Sequence, residues 1–133
     1  MVCVKCGKKT AVVNSRLQKK LNTVWRRRFC NKCQLIFTTE EAIKYDLVIL
    51  VKDKSNKYLP FSRDKLFLSI YKSCSHRRSA IEDSNALTNT VIARLLQEQA
   101  TLTVILSKDI KQACLVTLNR FDKSVANIYQ AYH

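Results

Sequence analysis

Apolar side chains in the second half of the chain recur at the spacing of amphipathic helices. The first such segment covers residues 63–74, and Ser62 is placed to cap its N-terminus. Its apolar face comprises Leu66, Phe67, Ile70, Tyr71 and Cys74. This pattern predicts a helix that buries one face and exposes the other.

The same periodicity predicts three further helices. One begins at the capping-box pattern Ser79-Ala-Ile-Glu82 and runs toward Gln99. Residues 101–106 are β-rich, and Ser107 is placed to cap the helix that follows them. The apolar faces of the three helices comprise, in turn, Leu87, Val91, Leu95 and Leu96; Ile110, Cys114, Leu115 and Leu118; and Val125, Ile128, Tyr129 and Tyr132.

The first half of the chain has the alternation of short strands. Residues 11–17, 23–30 and 34–39 predict three strands, the first two joined by a polar turn. An apolar run at 46–52 and a second strand at 57–61 flank turn residues and predict a hairpin. The expected fold class is therefore α+β, with a β-rich head over residues 1–44 and, over residues 45–133, a short sheet with a helical bundle.

Positive charge is concentrated in the head. The chain has 24 Lys and Arg against 10 Asp and Glu, a formal charge of +14, and residues 1–39 contain ten of these cations and no acid. Such a charge favours a polyanionic partner, nucleic acid rather than an anionic membrane surface. Because no apolar run approaches the roughly 20 residues that span a bilayer and no signal peptide is evident, we expect a cytoplasmic protein without membrane association.

Two C-x-x-C clips, Cys3/Cys6 and Cys30/Cys33, have the spacing of a four-thiolate metal site. Zn²⁺ suits four soft thiolates, and a head of about 40 residues is too small to stabilise itself without such a cross-link. The predicted role of the metal is structural. A pair of disulfides, a redox C-x-x-C and an iron site are the alternatives. Cys74 and Cys114 lie on apolar helical faces and are predicted to be core residues.

Three consecutive arginines precede the second clip. Strand alternation places Arg26 and Arg28 on one face and Arg27 on the other. Two arginines on one face could straddle phosphates or reach a base edge, because the planar guanidinium binds such groups bidentately. Trp25 beside them could stack on DNA or wedge into it, although packing against the ligand loops is the more common role for such an aromatic side chain.

In this order the motifs resemble those of the bacterial transcriptional repressors that control ribonucleotide reductase genes. In the head, the resemblance rests on Cys3-x-x-Cys6, Ser15-Arg16, Arg26-Arg-Arg28-x-Cys30-x-x-Cys33 and Phe37-Thr-Thr39-x-Glu41. In the remainder it rests on Val51-Lys52, Pro60-Phe61-x-Arg63-x-Lys65-Leu66, Cys74-x-x-Arg77 and Ile128-Tyr129. It therefore covers nearly the whole chain.

The resemblance implies a zinc ribbon that binds inverted repeats in double-stranded promoter DNA, within a nucleoid-associated bacterial protein. It also implies an ATP-cone that binds ATP or dATP, which changes the homo-oligomeric state and therefore the affinity for DNA. The implied DNA-binding residues are Ser15, Arg16, Arg26, Arg27, Arg28, Thr38 and Thr39. The implied nucleotide-binding residues are Val51, Lys52, Phe61, Arg63, Lys65 and Arg77.

Several positions depart from the family pattern. Trp25 and Ile36 stand where the family usually has further arginines, and the usual turn glycine is missing from residues 52–56. His76 replaces a usual lysine and Arg78 a usual proline, and the C-terminal helix lacks much of the family's typical segment. With no Walker-type glycine loop in the chain, the cations of the second domain have an alternative interpretation as ordinary surface charges.

Other functional classes have less support in the sequence. No paired carboxylate motif or nucleophile with a base partner is evident, and the only histidines are His76 and His133, so we expect no enzyme activity. A zinc ribbon bound constitutively to RNA, ribosome or polymerase would also explain the charge and the metal. An effect of ATP or dATP on oligomeric state would discriminate against that alternative.

Overall fold

A computed structural model describes residues 1–98 and 103–133 of the chain. The chain divides into two compact units, Met1–Ile43 and Lys44–His133, which are described in turn. The first is a small antiparallel sheet with cysteine loops, and the second combines a sheet with four helices. The predicted α+β class is confirmed.

The first unit is built on three antiparallel strands in the order β1-β2-β3. They are β1 (Ala11–Gln18), β2 (Thr23–Phe29) and β3 (Ile36–Glu41). A bulge between Val12 and Asn14 shifts the β1–β2 register by one residue. The third strand begins two residues later than predicted because Gln34, at φ +59°, belongs to the preceding cysteine loop.

The second unit begins with a 3-10 turn (Tyr45–Leu47), which shortens the predicted first strand of the hairpin. A mixed sheet has the order β5-β4-β6, in which β4 pairs antiparallel with β5 and parallel with β6. Its strands are β4 (Leu50–Lys52), β5 (Tyr58–Pro60) and β6 (Val104–Leu106). The helices are α1 (Arg63–Cys74), α2 (Ala80–Glu98), α3 (Ser107–Phe121) and α4 (Lys123–Tyr132).

One hydrophobic core joins the four helices to the inner side of this sheet. Its most deeply buried side chains include Ile70, Val91, Leu95, Ile105, Leu118 and Val125. Cys74 and Cys114 are fully buried within it, as predicted. Burial raises the pKa of both thiols, that of Cys114 to about 11, so they behave as small apolar residues. Within the described residues, no helix is both long and apolar enough to cross a membrane.

The helix ends differ in part from the predictions. Ser62 caps α1 as expected, since its Oγ accepts the backbone N–H of Lys65. α2 begins directly after Ser79 as expected, but the hydrogen bond of the Ser79 hydroxyl goes to Asp83 Oδ2 and not to the capping-box partner Glu82. The cap at Ser107 is also wrong, since α3 begins at that residue and no side chain caps it.

The last helix has an N-cap, Asp122, that the sequence pattern did not predict. Asp122 Oδ1 accepts both the backbone N–H and the hydroxyl of Ser124. Tyr132, expected on the buried face of α4, is instead 68% exposed. Gln99 and residues 101–102 lie outside the described residues.

Asn56 supplies a left-handed backbone conformation in the turn between β4 and β5. Its φ of +61° lies in the left-handed region, which asparagine tolerates better than most side chains. The preceding turn is closed by Asp53 Oδ1, which accepts the backbone N–H groups of Ser55 and Lys57. The β4–β5 hairpin therefore forms without a glycine.

Candidate metal centre and nucleic-acid interface

The two C-x-x-C clips fold into matching loops. In the first, Gly7 N–H donates to the Cys3 carbonyl at 2.9 Å; in the second, Gln34 N–H donates to the Cys30 carbonyl at the same distance. The residue after the second cysteine of each loop has a positive φ, +67° for Gly7 and +59° for Gln34. This left-handed step turns each loop back so that both sulfurs point to one side.

The four cysteine sulfurs converge on one point. The Cys3 and Cys33 Sγ atoms are 3.5 Å apart, those of Cys6 and Cys30 are 3.4 Å apart, and all four lie within 4.8 Å of one another. A tetrahedral ion with Zn–S bonds of about 2.3 Å separates its sulfurs by roughly 3.8 Å. The donor set and its dimensions therefore fit Zn²⁺.

Backbone amides stabilise the anionic form of two of these thiols. The Cys33 N–H holds the pKa of the Cys30 thiol at about 6, and the Lys5 N–H, 3.4 Å from Cys3 Sγ, lowers the pKa of that thiol. Thiolates are the metal-binding form of cysteine. The loops thus favour the thiolate at Cys3 and Cys30, whereas burial and the neighbouring cysteine sulfurs raise the pKa of the Cys33 thiol to about 11.

The basic strand β2 presents its three arginines on opposite faces of the sheet, which confirms the predicted alternation. Arg26 and Arg28 share one face, where Arg26 Nη2 donates to Glu41 Oε2 at 3.0 Å and Arg28 Nε donates to Thr39 Oγ1 at 3.1 Å. Arg27 lies on the other face and is exposed.

The cross-strand register divides the remaining predicted DNA-binding residues between the same two faces. Ser15 and Thr39 both pair with Arg26 and belong to its face. Thr38 pairs with Arg27 and belongs to the opposite face. Arg16 is on that opposite face too, since it pairs with Trp25, two residues from Arg27. The seven predicted residues therefore share one sheet but two surfaces.

Five of the six predicted nucleotide-binding residues come from β4 and from the junction between β5 and α1. Val51 and Phe61 pack in or against the core, and Phe61 also meets Tyr45 edge-on. Lys52 lies over the Tyr58 ring, with its Nζ 5.6 Å from the ring centroid. Lys52 therefore lies at the turn end of the hairpin, and Phe61 lies at its open end.

The two cations at the start of α1 differ in their surroundings. Arg63 is tied to α2, because its Nη2 donates to the side-chain oxygens of Asn85 and Asn89. Lys65 is exposed, and its side chain makes no hydrogen bond or ion pair within residues 1–98 and 103–133. Lys65 is thus the better placed of the two to meet an added anion.

Arg77 lies at the other end of α1. The helix rises about 1.5 Å per residue, so its 12 residues separate the two ends by roughly 18 Å, longer than a triphosphate group. The Arg77 guanidinium donates to Asp83 Oδ2 at 2.8 Å and to Asp122 Oδ2 at 3.1 Å, and it stacks over Phe121. The structure therefore does not group Arg77 with Lys65.

Comparison with known proteins identifies the family. Residues 1–41 match the family model described as the N-terminal, zinc-ribbon domain of transcriptional repressor NrdR-like proteins. Proteins named Transcriptional repressor NrdR from Streptococcus pneumoniae strains Hungary19A-6, ATCC 700669 / Spain 23F-1 and 70585 are each 32% identical over 137 aligned positions. Each alignment covers 99% of this chain and 85% of the relative. The chain belongs to the NrdR family of transcriptional repressors.

Membership in the NrdR family confirms the resemblance seen in the sequence. The family's repressors have a non-enzymatic role that implies DNA binding, and the zinc ribbon supports binding of Zn²⁺. Some structural partners in this NrdR-family chain were missed at the sequence level, namely Glu41, Asp83, Asn85, Asn89 and Asp122. Of these, only the i, i+4 spacing of the two asparagines could have indicated a shared partner.

Proposed function

We propose that this protein represses ribonucleotide reductase genes by binding inverted repeats in their promoters through the ribbon, residues 1–44. Cys3, Cys6, Cys30 and Cys33 would hold one structural Zn²⁺, and the metal would cross-link the loops that carry the sheet. The observation that carries the proposal is that this four-sulfur site lies in a basic head whose residues 1–39 contain ten Lys and Arg and no acid. Such a surface suits a phosphate backbone.

We further propose that residues 45–133 bind ATP and dATP near the start of α1. Lys52 and Lys65 would supply charge to the phosphates, and the first-turn amides of α1 would add donors. Arg63, held by two asparagines, would require a change of partner to take part. Arg77 enters this proposal as a structural residue that joins α2 to the α3–α4 junction.

The nucleotide would then regulate DNA binding by changing the symmetry of the homo-oligomer. If ATP and dATP stabilise different homo-oligomers, they present the ribbons at different spacings, and only a matching spacing lets two ribbons occupy both halves of an inverted repeat. The nucleotide thereby controls DNA affinity without contacting DNA.

Calorimetry and size-exclusion chromatography of the full chain with each nucleotide test the sensing part. We expect micromolar binding that Lys65→Ala abolishes and that Lys72→Ala, an exposed lysine near the other end of α1, leaves unchanged. We also expect the oligomeric state to differ between ATP and dATP. Unchanged binding in Lys65→Ala would place the nucleotide elsewhere, and equal loss in both variants would indicate a general effect of charge rather than a site at the start of α1.

A constitutive DNA-binding protein with a reduced nucleotide site is the second candidate. The observation that favours it is the engagement of two predicted cations, Arg63 with asparagines and Arg77 with carboxylates. Saturating ATP and dATP that produce neither heat nor a change of oligomeric state would make this candidate the better one.

A further inference from the structure

We infer that one face of the ribbon sheet, which we call the tryptophan face, is the surface that reads DNA, and that the Trp25 ring contacts thymine methyl groups in the major groove. The tryptophan face comprises Asn14, Arg16, Trp25, Arg27, Thr38 and Glu40. This inference rests on the proposed DNA-binding function and assigns it to one of two surfaces.

The register defines this face. Trp25 pairs with Arg16 on β1 and with Glu40 on β3, and Arg27 pairs with Asn14 and Thr38. Directly paired residues point to the same side of a sheet, as do residues two apart on one strand. Trp25, on the central strand, therefore lies in the middle of this surface.

Exposure and bonding separate this face from its opposite. Arg16, Arg27 and Thr38 are exposed, whereas Arg26, Arg28 and Thr39 are half-buried. Within residues 1–98 and 103–133, the guanidinium groups of Arg16 and Arg27 make no side-chain hydrogen bond or ion pair.

The cations of the opposite face are already engaged. Arg26 is bonded to Glu41 and Arg28 to Thr39. DNA binding on that face would break the Arg26–Glu41 pair and bring the carboxylate of Glu41 against phosphates. Binding on the tryptophan face breaks no ion pair of its arginines, so it has the lower electrostatic cost even though Glu40 also lies on that face.

The shape and chemistry of the face suit the major groove. Three strands about 4.8 Å apart span roughly 10 Å, and the groove is about 12 Å wide. Trp25 is half-buried in the middle of this face, so its ring suits apolar contact with thymine methyl groups rather than insertion between base pairs. Arg16 and Arg27 beside it suit guanine edges or phosphates.

Glu40 adds one acidic group to this face, opposite Trp25. A carboxylate repels phosphates, but at a base edge it can accept the amino group of cytosine. Its presence therefore favours a reading surface over one that only neutralises the backbone.

Trp25 is the only tryptophan in the chain, so its emission reports on this face alone. The zinc-loaded full chain is titrated with a labelled duplex of mixed sequence, and anisotropy of the label and tryptophan emission are recorded together. We expect the emission to change in step with the anisotropy. We also expect Arg27→Ala to weaken binding more than its neighbour Arg28→Ala, an equal change of charge on the opposite face.

A second arm tests the contact made by the ring. Replacing every thymine of the duplex by deoxyuridine removes the methyl groups and should weaken binding of the native chain roughly fivefold or more. Trp25→Phe should retain part of this sensitivity, and Trp25→Ala should lose it. Zinc content and circular dichroism check that each variant is folded. The emission and deoxyuridine measurements use the native chain, so they test the inference even if a variant does not fold.

The outcomes are distinguishable. No change of anisotropy with any duplex would overturn the proposed DNA-binding function itself. Binding with unchanged tryptophan emission, or with Arg28→Ala costing more than Arg27→Ala, would place DNA on the opposite face and overturn the inference alone. Binding indifferent to deoxyuridine would overturn the thymine contact.

Discussion

Arg77 Nη1 donates to Asp122 Oδ2 at 3.1 Å, which joins the turn after α1 to the residue that caps α4. The same guanidinium bonds to Asp83 on α2 and lies 4.7 Å from the centroid of the Phe121 ring. One side chain thus connects three parts of the helical unit that are distant in sequence. Arg77 was expected to bind nucleotide, and in this structure its guanidinium is engaged by two carboxylates and an aromatic ring.

Replacing Arg77 should therefore destabilise the helical unit. Arg77→Ala leaves the carboxylates of Asp83 and Asp122 without their shared cation. Arg78→Ala removes the same charge from the neighbouring side chain, which is exposed and makes no ion pair within residues 1–98 and 103–133. We expect a clear fall of the urea midpoint, read by helical circular dichroism, for the first variant and almost none for the second. Equal midpoints would show that the network contributes nothing to stability.

The stability of this unit should fall in acid. The Arg77 and Ser79 hydrogen bonds lower the pKa of Asp83, and those from Ser124 lower the pKa of Asp122. A carboxyl group with a depressed folded-state pKa stabilises the fold above its unfolded value of about 3.9, and this contribution is lost as pH falls through the folded pKa. The double variant Asp83→Asn, Asp122→Asn should lose less stability than the native chain between neutral pH and pH about 3. Parallel pH profiles for the two proteins would contradict this.

The hairpin turn should accept glycine readily. Asn56 has a φ of +61°, so Asn56→Gly removes backbone strain while increasing the freedom of the unfolded chain, and we expect the free energy of unfolding to change by less than about 1 kcal/mol. Asn56→Val should destabilise by roughly 1–2 kcal/mol, because a β-branched residue is disfavoured there. Thermal unfolding of both variants gives the comparison. A tolerated valine would mean that the turn readily adopts another conformation.

Zinc removal should unfold the ribbon while leaving the helices intact. The converging sulfurs of Cys3, Cys6, Cys30 and Cys33 are the main cross-link of a unit whose first strand is exposed throughout. We expect one zinc per chain and loss of that metal in Cys30→Ser but not in Cys114→Ser. Chelation should shift Trp25 emission toward that of an exposed indole while the helical signal persists. Folded, soluble protein that contains no zinc would refute the metal site.

The sequence predicted those features that depend on local spacing. The spacing of the cysteine clips predicted the four-sulfur site, and apolar periodicity predicted the four helices and most of their buried faces. Caps were less predictable because a serine at a helix start can donate elsewhere, as Ser79 does to Asp83. The hairpin turn contains no glycine, and its left-handed position is occupied by Asn56, which tolerates a positive φ.

The hydrogen-bond partners of the arginines on the ribbon sheet depend on how its strands pair, so the sequence could not predict them in full. Alternation placed Arg27 apart from Arg26 and Arg28, but the engagement of the latter two required the pairing of β2 with β3. The bulge after Val12 also changes which β1 side chains accompany them. Which arginines remain available to DNA is therefore a property of the folded sheet.

The central proposal is sequence-specific, nucleotide-controlled promoter binding by this ribbon. The most direct measurement is anisotropy of the full zinc-loaded chain with a duplex from upstream of the source organism's ribonucleotide reductase genes, against a scrambled duplex of equal composition, in ATP and in dATP. We expect the promoter duplex to bind at least roughly a thousandfold more tightly in one nucleotide state, and this preference to weaken in the other. Equal affinity for both duplexes in both nucleotides would contradict the account.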